Sequence, residues 1–305
     1  MVERRANGQD ASTDRRAAVA GGMSGRLDLI PARAVRAEEE RYARSIVAPE
    51  AEDKWPRLDG LVGIFFASRS GSTALTRHIE RLFDVSGVGE SLNGPALRTR
   101  MERHHRESFS AEMRRYIAAH GTSGWFVFKA GGRGVINGER MGMLDAYQGI
   151  LRPVMLLRRD IVAQALSYVT AAKSRQYHSS QTAARELSAE DYDHAAMLRA
   201  INTIDKTCRF LDSYASAFPG PRYALSYESF RDGDSSRISH LFSSLGLPKK
   251  AVEDATHARQ VERLERPVTA IWRQRFDAEA DEGITDRVQE YQSFVDSCLG
   301  ESPSL

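Results

Sequence analysis

The chain has 305 residues, of which 41% are hydrophobic and 28% are charged, and its formal net charge is +2. This composition is ordinary for a soluble globular protein, and the length suits one large α/β domain or two small ones. The small net charge gives no general reason to expect nucleic acid or anionic lipid as a partner. No apolar run approaches the roughly 18 residues that indicate a membrane-spanning helix.

The chain has only two cysteines, Cys208 and Cys298, and neither belongs to a CxxC motif or a Cys/His cluster. The sequence therefore predicts neither a zinc site nor a disulfide framework. No cluster of carboxylates indicates another metal. A reducing compartment is the default expectation for such a chain, so we predict a cytoplasmic protein.

Residues 1–52 differ from the rest of the chain. They are rich in Arg, Ala, Gly and Glu and poor in aromatic residues, a composition associated with disorder. We predict a disordered or loosely helical extension, with a tail up to about Gly25 and a short surface helix over 32–46. The extension has no apolar segment of the secretory type, and the acidic run 38–40 argues against a transit peptide. Residues 53–305 are predicted to form a single domain.

Strands and helices alternate along the predicted domain. Short apolar runs indicate strands buried on both faces at Leu61–Ala67, Trp125–Lys129, Val154–Leu157 (after Pro153) and Tyr223–Ser226. Apolar periodicity predicts helices at Ser72–Phe83, Ile161–Ala172, Asp191–Phe218, Ser235–Leu245 and Thr269–Leu299. This order predicts an α/β protein with a P-loop-like three-layer fold, in which helices flank a central, mainly parallel sheet.

The loop between the first strand and the first helix has the chemistry of an anion site. Ser68–Thr73 reads SRSGST, and such small residues let backbone N–H groups point at an anion beside the positive end of the helix. Ser70, Ser72 and Thr73 supply hydroxyl donors, and Arg69 supplies a forked cation. An ordinary strand–turn–helix connection is the alternative interpretation of this loop.

Two common nucleotide-binding motifs are absent from this loop. A Walker A loop requires GxxxxGK[ST], and the loop has neither that lysine nor a glycine at the required spacing before it. The loop does not match GxGxxG either. The sequence therefore argues against conventional ATP or GTP hydrolysis and weakens a dinucleotide interpretation.

A second candidate anion site follows the third predicted strand. Arg159 lies at the strand end, and Ser167 lies about two turns into the next helix. The two side chains can converge on one phosphate at the carboxyl edge of a parallel sheet, where ligands bind in such folds. The alternative is a solvated helix start with Asp160 as its N-cap. Combined with the first loop, two anion sites suggest a nucleotide that carries phosphate at both ends.

These motifs resemble the two signatures by which sulfotransferases bind 3′-phosphoadenosine-5′-phosphosulfate (PAPS). The detail resembles most the bacterial trehalose-sulfotransferase-like group, whose loop is Q-R-S-G-S-T and whose second segment is R-R-x-x-x-V-A-Q-A-x-S, here RRDIVAQALSY. Arg69 stands where the animal cytosolic enzymes have lysine. The resemblance extends over about Leu58 to Tyr291 and includes WFVFK at 125–129, LSYESF at 225–230, Arg259-Gln260, and Trp272 with Arg275 and Phe276.

The resemblance implies transfer of a sulfuryl group from PAPS to a hydroxyl of a carbohydrate, a lipid or another small metabolite, with adenosine 3′,5′-bisphosphate as product. Arg69 would stabilise the departing phosphate, which Ser70, Gly71, Ser72 and Thr73 would cradle. Arg159 and Ser167 would hold the 3′-phosphate, and Arg259 would cover the nucleotide. No metal is implied. Some members of the group are dimers, which suggests a homodimer.

The acceptor side of the implied site is less well matched. Glu90, in the segment GESLNGP, takes the place of the family's glutamate and is the candidate base for the acceptor hydroxyl. Lys129 and His178 are candidates for contact with the acceptor, and a histidine in place of Glu90 as the base stays open. His104 and His105 are interpreted as a solvated helix face.

Two other functions stay open from the sequence. One is a P-loop-type kinase with an atypical phosphate loop. The other is a non-catalytic nucleotide-binding protein on the same fold. Neither alternative implies nucleic acid as a partner.

Overall fold

The computed structural model describes residues 54–177, 181–232, 234–251 and 267–301, together with 26, 29, 36–38, 41 and 42. The predicted site residues His178 and Arg259 lie outside these ranges.

The described domain is built on a four-stranded parallel sheet with the order β2-β1-β3-β4. The strands are β1 (Gly60–Phe66), β2 (Trp125–Ala130), β3 (Leu151–Leu157) and β4 (Tyr223–Ser226). Each predicted strand is present, but β3 begins before the predicted Val154 and contains Pro153. The pairing of β3 with β4 starts only at Val154, so the proline, which has no N–H, precedes that ladder.

Helices fill the connections between the strands. They are α1 (Ser72–Leu82), α2 (Gly94–Arg103), α3 (Phe109–His120), α4 (Gly132–Arg140), α5 (Met143–Ala146), α6 (Ile161–Ser174), α7 (His194–Ser216), α8 (Ser236–Ser244), α9 (Pro267–Glu279) and α10 (Glu282–Gly300).

The sheet is covered on both faces. On one face, Val62, Ile64 and Phe66 of β1 pack in a buried cluster with residues of α1 and α8. On the other, Leu61 and Phe65 pack in a larger cluster with residues of α2–α4, α6, α7, α9 and α10. Side chains alternate along a strand, so one apolar run supplies both clusters, and full burial of each such side chain is worth roughly 1.5–3 kcal/mol. The predicted three-layer α/β fold is confirmed.

Two predicted helices are longer than the helices in the structure. The helix predicted from Asp191 begins at His194, because the carboxylate of Asp193 accepts a hydrogen bond from the Ala196 N–H at 2.8 Å and caps it. The helix predicted over Thr269–Leu299 is two helices, α9 and α10. Asp281 separates them by accepting from the Ile284 N–H at 2.8 Å. Local capping therefore overrode a continuous apolar pattern in both places.

Some described residues of the N-terminal extension pack against the domain. Arg26 is buried, and its Nε donates to Oε1 of the buried Glu139 at 2.8 Å. Tyr42 is also buried, and its ring lies 5.4 Å from that of Phe109. Residues 36–38 and 41–42, inside the predicted surface helix, are helical.

Candidate functional site

The parallel sheet brings the predicted site residues to one edge. All four strands run in the same direction, so the segments that follow Phe66, Ala130, Leu157 and Ser226 meet at the carboxyl edge. This edge is where ligands bind in open α/β sheets. The predicted phosphate loop follows the inner strand β1, and the predicted Arg159 site follows the neighbouring strand β3.

The phosphate loop has a backbone that only certain residues adopt. Arg69 and Gly71 both have left-handed backbones, with φ of 68° and 86°. A Cβ atom added to Gly71 would lie 2.3 Å from the Tyr227 ring, so both conformation and space require glycine. Gly71 is the N-cap of α1 and gives no side-chain cap, so the N–H groups of the first turn are open to another acceptor.

A buried hydroxyl in the same loop lacks a partner. Ser70 is only 1% exposed, and among the described residues its Oγ has no hydrogen-bond partner. An unsatisfied buried hydroxyl costs about 1–3 kcal/mol. A bound anion in this loop would remove that cost, so the loop fits a phosphate-type ligand.

Lys129 links the phosphate loop to the predicted base. Its Nζ lies 3.4 Å from Ser72 Oγ and 3.3 Å from Thr73 Oγ1, and 3.8 Å from Glu90 Oε1. Burial lowers the pKa of Lys129, while Glu90 and Glu80 oppose that shift by favouring the charged ammonium. The structure therefore places a buried lysine between the loop hydroxyls and an acidic side chain.

Glu90 lies in a loop that is bonded to the end of β2. The carbonyl oxygen of Gly89 accepts from the Lys129 N–H at 3.0 Å, which holds the next residue beside the lysine side chain. The Glu90 side chain is 43% exposed. The Glu90 carboxylate therefore faces solvent and a buried cation at once.

Arg69 contacts Ser167 directly. Arg69 Nε donates to Ser167 Oγ at 2.9 Å, and Nη1 donates to the Tyr177 carbonyl at 2.6 Å. The sequence assigned Arg69 and Ser167 to opposite ends of one nucleotide. The structure brings them together because α6, which carries Ser167, follows the strand adjacent to β1.

Arg159 occupies a more exposed position. Its side chain is 51% exposed, and its Nη2 lies 3.1 Å from Oδ1 of Asp296 on α10. Its backbone N–H donates to the Glu228 carboxylate at 3.1 and 3.2 Å. Asp160 caps α6 by accepting from the Ala163 N–H at 2.9 Å, as the alternative interpretation of this segment predicted. Arg159 thus pairs with Asp296, whereas Ser167 pairs with Arg69.

Sequence reasoning missed two residues that support the phosphate loop. Gln164 is fully buried, and its Nε2 donates to the Ser68 carbonyl at 2.8 Å. Arg158 donates from Nη1 to the Arg69 carbonyl at 3.3 Å and stacks 4.8 Å over the Tyr227 ring. The signal for Gln164 was an amide on the apolar side of a helix, where a polar side chain needs a specific partner.

Two of the described histidines, His104 and His194, have structural partners. His104 Nδ1 lies 3.1 Å from Oε2 of the buried Glu112, and His194 Nδ1 lies 3.0 Å from Glu279 Oε2. His105 is exposed, with a left-handed φ of 51°. These contacts give no support for His104 or His194 as the base.

None of the helices in the described ranges is both long and apolar enough to cross a membrane. The same residues contain no group of three or more His, Cys, Asp or Glu side chains that could hold a metal ion.

The chain was compared with known proteins in three ways. No protein-family model matches it, and no curated protein matches it. Among solved structures, it is similar to the crystal structure of a sulfotransferase from Alicyclobacillus acidocaldarius, with 14% sequence identity and a TM-score of 0.46. The similarity covers 79% of this chain and 96% of that one.

Proposed function

We propose that this chain is a PAPS-dependent sulfotransferase of the bacterial trehalose-sulfotransferase-like type. It would transfer a sulfuryl group to a hydroxyl of a small carbohydrate, lipid or related metabolite. The observation that carries the proposal is the position of Lys129, which joins the hydroxyls of the SRSGST loop to Glu90. The resemblance read from the sequence supplies the identity of the donor. A cytoplasmic location and a homodimer stay predictions.

The phosphate loop would bind the 5′-phosphosulfate. Among the described residues, the helix N-terminus has no side-chain cap and the Ser70 hydroxyl has no partner, which suits an anion, and Arg69 adds a cation on the same loop. Arg159 would hold the 3′-phosphate at the neighbouring strand end. Arg259 and His178 lie outside the described residues, so their proposed contacts rest on the sequence alone.

Glu90 and Lys129 would carry the transfer itself. Glu90 accepts the proton of the acceptor hydroxyl as the hydroxyl oxygen forms a bond to the sulfur of PAPS. The bond between sulfur and the 5′-phosphate oxygen breaks at the same time, and the electron pair leaves with the phosphate. Lys129, together with the Ser72 and Thr73 hydroxyls that lie within 3.4 Å of its Nζ, would stabilise the charge on the sulfuryl and phosphate oxygens. Such a reaction depends mainly on positioning and charge stabilisation.

One observation favours the kinase alternative. Lys129 places an ammonium group beside the hydroxyls of a phosphate loop that has no lysine of its own. A Walker lysine reaches terminal phosphates from within its loop, and a lysine from the adjacent strand could serve the same purpose. Parallel incubations with labelled ATP plus Mg²⁺ and with labelled PAPS separate the two functions. A kinase gives a phosphorylated product, and a sulfotransferase gives a sulfated one.

The decisive experiment is incubation with labelled PAPS and a metabolite extract, followed by mass spectrometry. We expect sulfated product without added metal. Glu90→Gln should reduce its formation by about 10²–10⁴-fold, the usual contribution of a general base, while binding adenosine 3′,5′-bisphosphate normally. Glu107→Gln, which changes an exposed glutamate, is the matched control.

Two results would contradict the proposal. Absence of sulfated product from every extract, with the nucleotide still bound, would favour the non-catalytic binding protein. Transfer of phosphate from ATP would favour the kinase.

A further inference from the structure

The loop that carries Glu90 is held by hydrogen bonds to five of its backbone carbonyls. Five carbonyls of this loop accept: Gly87 from Tyr116 Oη at 3.1 Å, Gly89 from Lys129 N at 3.0 Å, Glu90 from Asn93 N at 3.0 Å, Ser91 from Arg100 Nη2 at 2.6 Å and Leu92 from Asn137 Nδ2 at 3.0 Å. A solvated connection does not need such bonding. The loop is therefore built to hold its backbone in one place, while the Glu90 side chain stays partly exposed.

Arg100 differs from the other four donors because its donating group, a guanidinium, is charged. Its side chain is only 18% exposed, and its guanidinium lies 4.5 Å from the centre of the Tyr116 ring. Its Nε lies 3.5 Å from Oε1 of Glu112, a residue of α3 that is fully buried. Arg100 is thus held by its hydrogen bond to the Ser91 carbonyl and lies beside a ring and a buried carboxylate, while its Nε has no hydrogen-bond partner among the described residues.

Glu112 is itself firmly placed. Arg115 donates to both of its oxygens at 2.9 Å, and His104 approaches at 3.1 Å. Burial alone would raise the pKa of Glu112, but Arg115 and His104 outweigh that effect and hold the pKa below its ordinary value. A carboxylate that stays ionised gives Arg100 a permanent partner. The chain of contacts therefore runs from α3 through Arg100 to the residue after Glu90.

We propose that Arg100 is a positioning residue for Glu90, acting through the Ser91 carbonyl. The proposal rests on the proposed function, in which Glu90 takes the acceptor proton. Ser91 is 1% exposed, so loss of the Arg100 donor leaves a buried carbonyl to find another partner by moving. A shift of the base by about 1 Å can cost about 10²-fold in rate. Arg100 touches neither the phosphate loop nor Lys129 in any described contact, so nucleotide binding should not depend on it.

The test measures sulfation of the extract acceptor with labelled PAPS, and binding of adenosine 3′,5′-bisphosphate by calorimetry. Arg100→Met should reduce turnover by about 10–100-fold, with the KM for PAPS and the nucleotide affinity within about twofold of the original. Arg100→Lys should recover part of the turnover, because an ammonium group can still donate to the Ser91 carbonyl. Arg103→Met, on the same helix but exposed, should change nothing.

A second variant guards against simple misfolding. Arg100→Met leaves Glu112 with less charge compensation, and Arg100→Met/Glu112→Gln removes that imbalance. We expect the double variant to bind nucleotide normally and still turn over slowly.

Full turnover in the double variant, or no recovery in Arg100→Lys, would overturn the positioning role. A failure of the proposed function looks different, because wild-type protein would then make no sulfated product or Glu90→Gln would leave its formation intact.

Discussion

The two predicted anion sites at the sheet edge are built in opposite ways. The phosphate loop is fixed by its backbone: Gly71 has a left-handed φ of 86°, Ser70 is buried, and Gln164 holds the Ser68 carbonyl. The site after β3 relies on an exposed side chain, Arg159, which is paired with Asp296 across 3.1 Å. The backbone of the first site is held by contacts within the protein. The second relies on a side chain whose charge is paired with a carboxylate.

This difference has energetic consequences. Preformed N–H groups and a buried hydroxyl need little reorganisation when an anion binds, so their contribution to affinity should be large. An exposed ion pair is screened by water and salt and is worth little, so exchanging it changes affinity little in either direction. We therefore expect substitutions in the loop to have large effects and those around Arg159 to have small ones.

Among the substitutions that compare the two anion sites, the largest effect is expected from Lys129→Met, which removes the cation beside the loop hydroxyls. Sulfation should fall by about 10²–10³-fold, because charge stabilisation at a reacting centre is worth that much. Stability should be unchanged or slightly higher, because the charge of Lys129 is desolvated by burial and methionine has a similar shape. Rate assays check the expected loss of sulfation, and thermal unfolding checks the expected stability. A large drop in melting temperature would mean that the lysine is structural instead.

Gly71→Ala should damage the loop without removing any charge. The left-handed backbone strains any larger residue by about 1–3 kcal/mol, and the new Cβ would clash with the Tyr227 ring. We expect the affinity for adenosine 3′,5′-bisphosphate to fall by about tenfold or more, as measured by calorimetry. Gly149→Ala is the control, since a Cβ there meets no atom within 4 Å. Normal affinity in Gly71→Ala would show that the loop geometry is not needed for binding.

The two arginines provide a direct comparison of the sites. Arg69→Ala removes a side chain that donates at 2.9 Å to Ser167 and at 2.6 Å to the Tyr177 carbonyl, so it loses both charge and local order. We expect its affinity for adenosine 3′,5′-bisphosphate to fall by roughly tenfold, as for loss of a hydrogen bond to a charged group. Arg159→Ala should weaken the same affinity by only about threefold, because its site is exposed. Unchanged affinity in both variants would contradict the donor assignment.

Much of the fold could be predicted because its signals are local. The runs at β1, β2 and β4 are short, apolar and buried on both faces, so each predicted strand lies within one residue of the observed one. The region of α2 and α3 was not predicted. Its caps, Asn93 and Ser108, are followed by charged stretches that hide the apolar periodicity.

The candidate site also has one part that a local sequence pattern predicts and another part that it does not. The phosphate loop is contiguous in sequence, so its small residues, arginine and helix start could be recognised together. The contacts of Lys129 with Ser72 and of Arg69 with Ser167 depend on β2 and β3 lying on either side of β1. Strand order is a property of the whole chain, and no local pattern specifies it. Sequence analysis could therefore predict a role for each of these residues but not the contacts between them.

The smallest effect, and the sharpest test of the contrast between the sites, comes from Asp296→Asn. The carboxylate pairs with Arg159 where a 3′-phosphate is proposed to bind, so its neutralisation should free the guanidinium and tighten binding of adenosine 3′,5′-bisphosphate by about two- to fivefold at low salt. The gain should vanish in an Arg159→Ala background, because the two residues act as a pair. Asp286→Asn, an exposed change on the same helix, separates this pairing from a general change in charge. Equal gains in affinity from Asp296→Asn and Asp286→Asn would show that Arg159 has no special role in nucleotide binding. The contrast between the phosphate loop and a site at Arg159 would then no longer hold.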